Sequence, residues 1–73
     1  MSERTRGMLK SFGVSVTMYE EAMEKLLREG DPQAALAEAL RLNLELTARL
    51  AEMVKYVAEL QQKATEELLK KLK

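Results

Sequence analysis

The chain contains no cysteine and no histidine. Disulfides, thiolate nucleophiles, imidazole bases and metal centres built on either residue are thereby excluded. Isoleucine is missing as well, and only four valines and four threonines occur, which argues against an all-β domain. Neither sign of charge prevails, because 12 Lys and Arg balance 12 Asp and Glu. A chain that grips nucleic acid usually carries a basic face, and neutrality weighs against one. No apolar run approaches the roughly 18 residues of a membrane span, and no signal peptide opens the sequence. The expectation is a cytoplasmic protein without membrane attachment.

What is present is helix-forming. Ala, Leu, Glu, Lys, Arg, Gln and Met fill 53 of the 73 positions. At this length there is room for one domain, residues 1–73, and the fold class is all-α. Charge is unevenly spread: residues 1–15 come to +2, residues 16–31 to −3 and residues 32–73 to +1.

Two glycines divide the chain into three expected helices. The first runs from about residue 3 to 12, with Ser2 as N-cap and Met8 and Phe12 stacked at i, i+4. Gly13 stands where a helix commonly ends in a left-handed residue, and Ser15 is placed to cap the next. The second helix spans about 16–29, where Val16, Tyr19, Met23 and Leu26 are spaced 3, 4, 3 along one stripe. Gly30-Asp31-Pro32 then closes one helix and caps another. So short a connection makes the flanking helices antiparallel neighbours. The third helix, about 32–72, would be roughly 60 Å long.

That last segment repeats every seven residues. Glu38, Glu45, Glu52, Glu59 and Glu66 mark a solvated line. Leu36, Asn43, Leu50, Val57 and Ala64 form one apolar row, and Ala39, Leu46, Met53 and Leu60 a second. Leu40, Thr47, Val54, Gln61 and Leu68 widen the stripe beyond a two-helix seam. Helices of about 10 and 14 residues cannot cover it, so association of the chain with itself, most simply as a two-fold dimer in an oligomeric bundle, is expected. The candidate self-association residues are Asn43, Leu46, Leu50, Met53, Val54, Val57, Leu60, Ala64 and Leu68. Asn43 must find a partner within the apolar face, across a two-fold axis or inside one chain.

Chemistry is harder to find. The glutamates of the long helix lie on its solvated line without a histidine at ligand spacing, and Ser2, Ser11 and Ser15 lack a base. No phosphate-binding glycine loop occurs. Neither catalysis nor a cofactor is expected. Met8, Met18, Met23 and Met53 suit core filling better than a methionine-lined binding groove.

Three resemblances rest on particular residues. The Gly-Asp-Pro punctuation, the strict glutamate line and the Glu66-Glu67-Leu68-Leu69-Lys70-Lys71 ending make residues 15–73 resemble de novo designed helical bundle proteins. This resemblance implies a non-enzymatic interaction or scaffold module, with an unidentified protein partner as a further option. Phe12-Gly13-Val14-Ser15, with Met8, Tyr19 and Ala22, resembles the turn of helix-turn-helix DNA-binding domains over residues 5–25. It departs from that pattern at Leu9, and Glu20 and Glu21 would repel phosphates from the reading helix. Alternation of Phe12, Val14, Val16 and Met18 with Gly13, Ser15 and Thr17 also permits a strand, and residues 12–44 then resemble the ribbon-helix-helix DNA-binding family. These two resemblances imply a small DNA-binding regulator in which Arg4, Arg6, Lys10, Ser15 and Thr17 contact DNA.

Overall fold

The computed structural model describes residues 1–72, and they form an antiparallel helical hairpin. Helix α1 spans Glu3–Arg28 and helix α2 spans Pro32–Lys71. The all-α expectation holds, but the division into two short helices and one long one does not. Residues 12–18 are unbroken helix, so neither a cap at Gly13 and Ser15 nor a strand forms there. No glycine among the described residues has a positive φ.

The reason lies in the facing side chains. Thr5, Met8, Phe12, Ser15, Tyr19, Ala22 and Leu26, with Met23 beside them, are the half-buried positions of α1, and the spacing of the first seven alternates 3 and 4 without interruption. A helix that stopped at Gly13 would break this seam and lose the contacts on one side of it. A glycine inside a helix costs only about 1 kcal/mol. Ser15 and Thr17 are accommodated by donating their hydroxyls to the carbonyls of Ser11 (3.2 Å) and Gly13 (3.0 Å), four residues back.

Gly7 and Gly13 are spared for no packing reason, since a Cβ added at either meets nothing within 4 Å. Gly13→Ala should therefore stabilise the protein by about 0.5–1 kcal/mol. A denaturant midpoint that falls in this variant would contradict the continuous helix.

The ends of the helices follow their sequence signals. Ser2 accepts from the Thr5 amide (3.1 Å) at the start of α1. Asp31, held extended ahead of Pro32, accepts from the Gln33 amide (3.0 Å) at the start of α2. The C-terminus of α1 ends differently from expectation: Glu29 is extended and Gly30 is not left-handed.

The hairpin is one helix layer. Its extents are 65, 20 and 11 Å, and its radius of gyration of 18.1 Å compares with about 11 Å for a compact chain of this length. Only Tyr56 is buried among the described residues. Because Arg4 meets Glu59 (3.6 Å), α1 ends near that level of α2. From Leu60 to Lys71, α2 continues alone for about 18 Å.

Candidate functional site

Packing divides the rows of α2 between two directions. Ala35, Ala39, Leu42, Leu46, Met53 and Tyr56 turn toward α1 and are half-buried or buried. Leu46 and Met53, among the residues expected at an interface between chains, are half-buried against α1, and Leu46 also lines a cleft on the outer face. Met8 and Met23 enter the same seam from α1, as core-filling methionines would, whereas Met18 stays 63% exposed.

The remaining apolar rows face away. Leu36, Leu40, Leu50, Val54 and Val57 are 62%, 55%, 48%, 59% and 43% exposed. At about 100° per residue these positions lie some 40–140° around α2 from the seam, with Leu50 and Val57 nearest to it. Leu9, Val16 and Leu27 are displaced from the seam of α1 in the same sense, which for antiparallel helices puts them on the same side of the hairpin. Two shallow clefts open on this face. One, of about 430 Å³, is lined by Phe12, Tyr19, Asn43, Leu46, Thr47 and Leu50. The other, of about 400 Å³, lies at the hairpin end beside Met23, Leu27, Leu36 and Ala39. Beyond α1 the face continues as Ala64 and Leu68 (63% exposed), while Leu60 (43%) prolongs the seam row of Ala39, Leu46 and Met53.

The opposite side is mixed: Val14, Met18 and Leu44 are exposed away from this face, and a smaller cleft of about 240 Å³ opens there beside Met18, Ala22, Leu42 and Glu45, next to a charged network. Arg41 bridges Glu38 and Glu45, donating to both carboxylates. Its hydrogen bond, more than its charge, holds the Glu38 carboxyl below the ordinary carboxylate range, and Glu38 in turn raises Arg41. Further along α2, Glu59 meets Arg4 and Glu66 accepts from Gln62 (3.1 Å).

Besides the Arg4–Glu59 ion pair, two hydrogen bonds join α1 to α2. Tyr19 donates its hydroxyl to Asn43 Oδ1, so Asn43 finds its partner inside the chain. At the far end the Tyr56 hydroxyl and Thr5 Oγ1 are hydrogen-bonded at 2.6 Å, and the Arg4 guanidinium lies 4.7 Å from the Tyr56 ring centroid. Tyr56 was not foreseen as a site residue. Its row reads Ala35, Leu42, Arg49, Tyr56, Lys63 and Lys70, and the charged residues on either side of Tyr56 hide it in the sequence.

The residues expected to contact DNA are scattered by the unbroken α1. Arg4 is engaged with Tyr56 and Glu59. Ser15 and Thr17 use their hydroxyls within the helix. Arg6 and Lys10 are exposed on α1, but the turn or ribbon that would assemble them with Ser15 and Thr17 is absent. No group of three metal-ligating side chains occurs among the described residues, and no helix there is long and apolar enough to cross a membrane. No family model, curated protein or solved structure matches the chain.

Proposed function

We propose that the chain is a non-enzymatic helical interaction module that joins a second copy of itself through the exposed apolar face of α2. Surface area carries this reading. The chain exposes 6341 Å². A compact monomer of 8.3 kDa would expose about 4,600 Å². The excess, about 1,700 Å² per chain, would give a dimer interface of roughly 3,500 Å² in total, within the 2,000–5,000 Å² of obligate homodimers. Helical domains are built from at least two packed layers, and a second hairpin supplies the missing one. The regular heptads and capped ends suit a scaffold of the kind designed bundles provide.

Sedimentation equilibrium of the unmodified protein at micromolar concentration tests the proposal. The expected mass is twice the 8.3 kDa of the chain. A folded species of one chain mass that persists to high micromolar concentration would overturn it.

A further inference from the structure

Resting on that self-association, we infer that the two copies of α2 run antiparallel in full overlap, with the two-fold axis at the level of Glu52. In this arrangement the partner's Gln61 binds Asn43. Three independent features of the chain converge on this register.

The first is overlap. Helix α2 spans 32–71, so an axis at its midpoint pairs residues whose numbers sum to about 104. The 12-residue extension beyond α1 then lies along the partner's hairpin end, in the groove of Tyr19, Met23, Leu27, Leu36 and Asn43. The assembly has four helices at its middle and three at each end, and no length of α2 remains bare.

The second is the placement of polar side chains on the apolar face. Asn43 and Gln61 are both exposed there, 18 residues apart and equally far from the midpoint. With Oδ1 taken by Tyr19, Asn43 has its two Nδ2 hydrogens left to offer, and the amide oxygen of the partner's Gln61 accepts one of them. The same register sets Leu36 against the partner's Leu68, Leu40 against the partner's Ala64 and Leu50 against the partner's Val54. An unpaired amide buried on this face would be costly, and the register leaves neither one alone.

The third is charge. The connection, residues 29–31, carries Glu29 and Asp31 after Lys25 and Arg28 in the last turn of α1, and the last turn of α2 carries Lys70 and Lys71 after Glu66 and Glu67. Antiparallel packing sets the acidic connection near the partner's lysines and aligns the helix dipoles favourably. Parallel packing would gather the lysines of both copies at one end.

A spin label at Glu66→Cys, on the polar side away from the face, distinguishes the two directions in the otherwise cysteine-free chain. Residue 66 lies 14 positions from the axis, so antiparallel copies place the labels at least about 40 Å apart, and parallel copies under about 30 Å. Gln61→Leu and Asn43→Leu should each weaken dimerisation about tenfold, with the double variant recovering most of the loss. A dimer with the short label distance, or with additive losses in the two leucine variants, overturns the register while leaving self-association intact. Monomers throughout overturn self-association itself.

Discussion

Leu50→Glu combined with Val57→Glu should dissociate the protein into single chains, weakening association by at least about a thousandfold. The two positions lie one heptad apart in the same row, and both are close to half exposed in the hairpin. Neither belongs to the half-buried positions against α1. Glutamate at these sites therefore costs the isolated hairpin little. A second layer packed over the face would bury four carboxylates per dimer, each needing protonation or a partner that the leucine- and valine-rich surface does not provide. Helical circular dichroism should fall together with the mass, because a single hairpin layer has too little core to hold its helices. The control is Ala48→Lys with Gln62→Lys on the outward row, where each new charge lies between two glutamates, and it should change neither quantity. A double variant at 50 and 57 that still sediments as the parent would show that the face is not an interface.

Tyr56→Ala should be the most damaging single truncation, costing about 3 kcal/mol. Tyr56 is 5% exposed, and it joins Thr5 by a hydrogen bond and Arg4 by its ring, so its loss releases the N-terminal end of α1. Tyr56→Phe keeps the ring and removes the hydroxyl, and its cost should be nearer 1 kcal/mol. Amide exchange separates this effect from general unfolding. Amides of the first three turns of α1 should lose protection in Tyr56→Ala, while those from Tyr19 to Arg28 keep most of theirs. Uniform loss along both helices would mean that Tyr56 is no local anchor.

The legibility of these features in the sequence varied for physical reasons. Asp31-Pro32 was readable because a cap and a fixed φ act within three residues and need no tertiary help. The heptad rows of α2 were readable because their period is a property of the helix itself. The break expected at Gly13 failed because local capping preferences, worth about 1 kcal/mol, competed with a seam that spans the full length of α1. That seam contains Thr5 and Ser15, which a search for apolar residues passes over. The division of α2 into an inner and an outer face was also hidden. Rows containing Leu46 and Leu50 look equally apolar in sequence, and only the position of α1 decides which one remains exposed.

The thinness of the hairpin has a consequence for what its stability means. With a single buried side chain among the described residues, little of the folding free energy is held within one molecule. If the core forms between copies, as proposed, dilution acts as a denaturant, and each tenfold fall in concentration removes about 1.4 kcal/mol from the assembled state. Its melting temperature then belongs to the solution as much as to the sequence.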